Sequence, residues 1–194
     1  MDLIRARQFS SYQYGDPRGY LVELRKAEVA LGSSVMPERV RRLRTNGLKS
    51  EREMRDAALF CVGIGERCGL QIRFAPVEDE DFDFVSTWSA GESRHFCCVQ
   101  LKELVPDDLN RKASIEDVLK TLSKYQNATD LTIAIRLNRD ISFDPASLKL
   151  PEQLKLGGLW VFGSVSEDQS RWAVWGDFAS AVPEPFGTVF EYPS

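Results

Sequence analysis

Asp83, Gln100, Lys102 and, about thirty residues upstream of Asp83, Glu51 are the side chains whose types and spacing could do chemistry. Gln100 and Lys102 lie two apart in a run, HFCCVQLK at 95–102, that reads as a strand. Both side chains then leave one face, with Cα atoms roughly 7 Å apart. Asp83 opens the preceding run, FDFVSTW at 82–88. In an antiparallel pair the start of one strand lies beside the end of the next, which brings Asp83 to Gln100 and Lys102. A carboxylate and an amide oxygen are hard ligands suited to Mg²⁺ or Mn²⁺. A metal so held acidifies a bound water and offsets phosphoryl charge, while a nearby lysine orients the water or stabilises the developing oxyanion. The combination is that of phosphodiester hydrolysis.

Each of these residues also has an ordinary role. Glu51 and Glu53 fall in a first helical turn, where carboxylates suit the dipole, and Ser50 with Glu53 has the spacing of a capping box. Asp83 follows the acidic stretch EDEDFD at 78–83 and can simply begin a strand, and Lys102-Glu103 can be a solvated strand exit. Gln100 is harder to dismiss, since an amide in mid-strand beside Cys98 needs a partner. Arg39, Arg41, Arg42 and Arg44 would line the outer face of a short helix starting at Pro37, either solvated or in contact with phosphates. Trp160, Phe162, Trp172 and Trp175 could stack bases, but as alternating residues of a hairpin they suit core or edge packing better.

Other chemistries find less support. The single histidine, His95, sits directly on a strand, which leaves no attractive Ser-His-Asp or Cys-His arrangement. Cys61, Cys68, Cys97 and Cys98 lack zinc spacing and read as reduced small hydrophobes rather than a disulfide frame. No apolar run approaches a membrane span, and Arg5 and Arg7 follow Leu3 and Ile4 too closely for a secretory leader, so a cytoplasmic protein is expected. The net charge of −4 argues against a surface uniformly coated in positive charge. The charges are unevenly placed, however, with seven basic side chains against three acidic ones in residues 21–50.

The elements that must position these residues follow from periodicity. Asp16-Pro17 starts a helix whose apolar stripe runs from Tyr20 to Leu31. A long helix covers 51–64, with Gly65 or Gly69 at its end. Strands are expected at 70–75, 82–88 and 95–102, with a turn at Ala90-Gly91-Glu92-Ser93. A second capping box, Ser114 with Asp117, opens a helix to about 125, and LTIAIRL at 131–137 is apolar enough to be buried on both faces. Residues 138–157 look irregular, and a C-terminal β-hairpin and extended tail fill 158–194. The expectation is a single α/β domain over 1–194: a helical extension at 1–47, a core at 48–137 and the hairpin.

The pattern Asp83…Gln100-Leu101-Lys102 resembles the PD-(D/E)xK nuclease superfamily, which includes many restriction enzymes and Holliday-junction resolvases. No proline precedes Asp83, and Gln100 stands where the family usually has an acid. Ser50-Glu51-Arg52-Glu53-Met54 is similar to the first core helix of the archaeal resolvases, and the helix at 115–125 followed by the strand at 131–137 fits the family order. The resemblance covers roughly residues 48–137. It implies a restriction-endonuclease-like mixed sheet sandwiched by helices, with a metal-dependent nuclease acting on DNA rather than RNA. Asp83 and Gln100 would hold Mg²⁺ (or Mn²⁺), Lys102 would act on the attacking water, and Glu51 would orient a metal-bound water. Arg39, Arg41, Arg42 and Arg44 would meet nucleic acid, and a homodimer is among the assemblies it allows. Gln100, the missing proline and the acidic net charge equally suit a non-catalytic descendant that binds without cutting.

Overall fold

Seven strands form one mixed sheet in the order of the chain, curled as a half-barrel. The structure is a computed structural model and describes residues 3–32, 48–77, 79, 81–151, 153–180 and 186–194. Among these, three helices come first: α1 Leu3–Ser10, α2 Pro17–Gly32 and α3 Lys49–Cys68. Strands β1 Arg73–Pro76, β2 Phe84–Ala90 and β3 Ser93–Leu104 follow as an antiparallel meander. Helix α4 Ile115–Thr121 and a 3₁₀ turn at Leu122–Lys124 carry the chain back to β4 Ala128–Leu137, which runs parallel to β3. Strand β5 Leu156–Ser164 is parallel to β4, and β6 Arg171–Trp175 and β7 Thr188–Glu191 complete the sheet antiparallel.

The local signals explain most of these elements. In α3 the run from Ala57 to Val62 is buried throughout, and Gly69 ends the helix in the left-handed conformation at φ 65°, its N–H donating to Gly65 O. Gly63 is needed for close approach: a Cβ there would lie 2.8 Å from Phe190 Cε1 and 3.2 Å from Val174. The expected capping box at Ser50 does not form. Helix α3 starts at Lys49 after Leu48, with no side-chain cap, so Ser50 lies inside the first turn. At Ser114 the box is complete: its hydroxyl accepts from Asp117 N at 3.2 Å, and the Asp117 carboxylate accepts from Ser114 N. The β2–β3 turn is Gly91-Glu92, with Gly91 at φ 61°.

Alternation along the strands separates two apolar layers. On one face Phe84, Val99, Ala134, Phe162, Trp172 and Val174 pack with α3 and with Leu21 of α2. On the other, Val85, Cys98, Ile133, Ile135 and Val161 pack with Leu119 of α4, Leu122 and Phe9 of α1. The 138–155 crossover adds Phe143, Leu148, Leu150 and Leu154 to this second layer, which gives an irregular segment a packing role. The aromatic residues of the expected hairpin are structural. Phe162 and Trp172 are buried, Trp160 lies under Arg67, and Trp175 packs edge-on against Phe143. The extended tail contributes a paired strand, β7, beyond the hairpin that was expected. No helix among the described residues is long and apolar enough to cross a membrane.

Candidate functional site

Strand β3 carries the Gln100-Leu101-Lys102 triplet past the start of β2, so β3 beyond Val99 has no strand partner on that side among the described residues. Asp83 fills the gap. Its N–H donates to Val99 O at 2.9 Å, and its carboxylate accepts from Leu101 N at 2.6 Å. The carboxylate thus stands in for a strand carbonyl and prolongs the ladder by one rung, directly beside the triplet. Leu101 turns its side chain toward α3, while Gln100 faces α4.

Gln100 is 8% exposed, and its side-chain oxygen accepts a hydrogen bond from the Tyr125 hydroxyl. Tyr125 is fixed in turn by the 3₁₀ turn after α4. Its N–H donates to Leu122 O, Leu122 is fully buried, and Lys124 Nζ sits 4.7 Å from the ring centroid. Lys102 follows on the same face of β3, half-buried, with no carboxylate partner among the described residues. Asp83, Gln100 and Lys102 are therefore neighbours, and Tyr125 joins them without having been singled out in the sequence. Its signal would have been position: the first residue after a helix that must turn back under β3.

Glu51 is not joined to this group. It lies in the first turn of α3, on the opposite face of the sheet, and accepts from the Tyr20 hydroxyl of α2 at 3.2 Å. That carboxylate and burial together push the Tyr20 phenol well above its ordinary range, burial being the larger cause. Arg39, Arg41, Arg42 and Arg44, with the short helix expected around them, lie outside the described residues. For a divalent ion the donor set is poor as arranged. Mg²⁺ takes several oxygen ligands, yet one Asp83 oxygen already accepts from Leu101 and the Gln100 oxygen from Tyr125. No group of three His, Cys, Asp or Glu residues among those described is disposed to hold a metal.

The same end of the sheet carries a second polar cluster, under α3. Asp56 and Arg136 form a buried ion pair, their side chains 9% and 6% exposed. Arg136 also reaches Asn138, which donates to Glu103, and its guanidinium lies over Trp172. Arg55, buried beside them, donates to Gln169 Oε1 at 2.7 Å and lies 3.9 Å from Glu28. Burial lowers the Arg55 pKa, helped by the like charge of Arg136. Burial raises that of Asp56, against the pull of Arg136 and Arg55. The Nε atoms of both arginines are buried without a hydrogen-bond partner among the described residues. Two signals for this cluster stood in the sequence: a charge in the apolar strand LTIAIRL, and Arg55-Asp56 at the head of the apolar run of α3.

Comparison with protein-family models, with curated proteins and with solved structures finds no significant match to this chain. Fold and site together define a mixed α/β protein with a seven-stranded sheet, carrying a buried glutamine and a half-buried lysine beside Asp83 on one face and a buried charge network on the other.

Proposed function

We propose that this chain is a nucleic-acid-binding module on a nuclease-like core, and that Gln100 and Lys102, with Asp83 fixing the strand between them, meet the phosphodiester backbone of DNA. The observation that carries this reading is Lys102, a half-buried ammonium without a carboxylate partner among the described residues, next to an amide whose oxygen is already engaged. Unpaired donors at a strand end suit phosphate oxygens. The choice of a nuclease-like core draws on element order. A helix, an antiparallel three-strand meander, a helix and a strand parallel to the third follow one another over Lys49–Leu137, the order that the PD-(D/E)xK resemblance implies.

Hydrolysis assisted by Mg²⁺ or Mn²⁺ is the second reading, favoured by the direct adjacency of Asp83 to Gln100-Leu101-Lys102. In it Asp83 and Gln100 would hold the ion and Lys102 would act on the water. Fluorescence anisotropy with labelled duplex, branched and single-stranded DNA at low salt separates the two. On the binding reading, association persists in EDTA, and Lys102→Ala weakens it while lowering the salt slope by about 1. Absence of binding to every substrate rejects the proposal, and cleavage that appears with Mg²⁺ or Mn²⁺ and disappears in Asp83→Asn moves the conclusion to the second reading.

A further inference from the structure

We infer that Tyr125 is a positioning residue that sets which ligand the Gln100–Lys102 segment can take, directing it toward phosphate oxygens and away from a divalent cation. The inference rests on the reading that this segment is the binding face. A glutamine offers an oxygen that accepts and a nitrogen that donates twice. Tyr125 donates its hydroxyl proton to the Gln100 oxygen, and Tyr125 is the partner that the Gln100 side chain has among the described residues. The end of the amide left to serve a ligand is then the donating one. Lys102 beside it and Lys124, whose Nζ lies over the Tyr125 ring, add further donors to the site. Asp83 is the acceptor beside them: one of its oxygens serves the Leu101 amide, and the other has no hydrogen bond to a described residue.

Tyr125 is built to hold this contact. Its backbone is tied to Leu122, a fully buried residue, and its ring packs at the margin of the layer formed by Ile133, Ile135 and Leu119. Removing only the hydroxyl would leave the ring packed and release the Gln100 oxygen at the strand position one step beyond the Phe84–Val99 pair, where the register sets Asp83 opposite Gln100. Two hard oxygens and several waters are what Mg²⁺ or Mn²⁺ commonly accepts from a protein. Tyr125→Phe therefore converts a donor site into a cation site.

The test is a Mn²⁺ titration of the full chain, followed by loss of the free-ion electron paramagnetic resonance signal, with no nucleic acid present. Tyr125→Phe should bind Mn²⁺ about tenfold more tightly than the parent protein, the scale on which a group behind a ligand tunes metal affinity. The gain should vanish in Tyr125→Phe/Gln100→Ala, and a purely structural role for the hydroxyl would not produce a gain at all. Equal affinity in parent and Tyr125→Phe, or a gain that survives loss of Gln100, overturns the inference. DNA anisotropy with Lys102→Ala reports separately on the binding face, so that reading can fail while the Mn²⁺ result stands.

Discussion

Two polar clusters occupy the same end of one sheet, on opposite faces, and they treat charge in opposite ways. Under α3, Asp56 and Arg136 are paired, buried and linked onward through Asn138 to Glu103, with Arg55 held by Gln169 and Glu28. On the α4 face, Lys102 has no carboxylate partner among the described residues, and Gln100 is turned by Tyr125. Taking a charge out of water costs several kcal/mol unless a partner compensates it. The first cluster meets most of that condition internally, through the Asp56–Arg136 pair, although the Nε atoms of Arg55 and Arg136 have no hydrogen-bond partner among the described residues, and it ties α3 to the sheet. The second leaves its donors unmatched at a half-exposed strand end, where a ligand can match them. The contrast separates architecture from function more sharply than residue type does, since the buried cluster carries more charge.

Breaking the buried pair should give the largest effect. Asp56→Ala leaves Arg136 uncompensated beside Arg55, and a loss of about 3–5 kcal/mol in a urea titration is expected. Because a domain of this kind has only about 5–15 kcal/mol in total, the variant will be close to unfolding at ambient temperature. Asp56→Leu combined with Arg136→Met should recover most of the loss, since no unpaired charge then remains. If Asp56→Ala costs less than about 1 kcal/mol, water reaches the pair and the architectural reading of this cluster fails.

A second packing test concerns the same helix. Gly63→Ala places a Cβ against Phe190 and Val174, and neither can withdraw without opening the layer between α3 and β6–β7. Overpacking of this kind costs about 1–3 kcal/mol, visible as a lower urea midpoint at unchanged slope. An unchanged midpoint would show that α3 can slide, and would weaken the claim that the buried pair ties it to the sheet.

Much of this arrangement was legible in the chain because it depends on short-range pattern. The β2–β3 hairpin follows from alternation and Gly91, α4 from the Ser114–Asp117 box, and the adjacency of Asp83 to the triplet from meander geometry. What was missed depends on separation or on sidedness. Asp56 and Arg136 are 80 residues apart and Gln100 and Tyr125 are 25 apart, distances over which no periodicity speaks. Glu51 illustrates sidedness: an amphipathic helix declares which stripe it buries, but not which face of the sheet it covers. Helix α1 escaped because it commits little to the core beyond Phe9, and Ser50 misled because its box spacing was not used. Strand β7 read only as an extended tail, and its pairing with β6 is a long-range choice.

On the other face, Lys102→Ala should scarcely change stability, within about 0.5 kcal/mol, because no described residue pairs with it. The same substitution should weaken DNA binding at low salt, with the loss shrinking as salt is raised. A stability loss comparable to that of Asp56→Ala would mean that Lys102 is structural after all, and the distinction between the two faces would collapse.

The smallest expected effect lies in the β5–β6 turn, which presents Gln169 to Arg55. Asp168 accepts from the Ser170 N–H at 3.0 Å and from the hydroxyls of Ser166 and Ser170, each at 2.7 Å. These bonds favour the ionised carboxylate and lower its pKa from 3.8 to about 2, the Ser170 backbone bond being the largest cause. Because the folded pKa lies below the unfolded one, the contribution is present in full above pH 4 and is lost as pH falls toward 2. Asp168→Ala should therefore lower the urea midpoint slightly at pH 6 and be indistinguishable from the parent near pH 2, in any state that remains folded there. The turn also holds Gln169 at φ 57°, so its loosening should reach Arg55. Asp168→Ala and Gln169→Ala should then be less than additive in a double-mutant cycle at pH 6. Full additivity would show that the turn and the buried cluster are independent, and that Arg55 is held by Glu28 and its own packing alone.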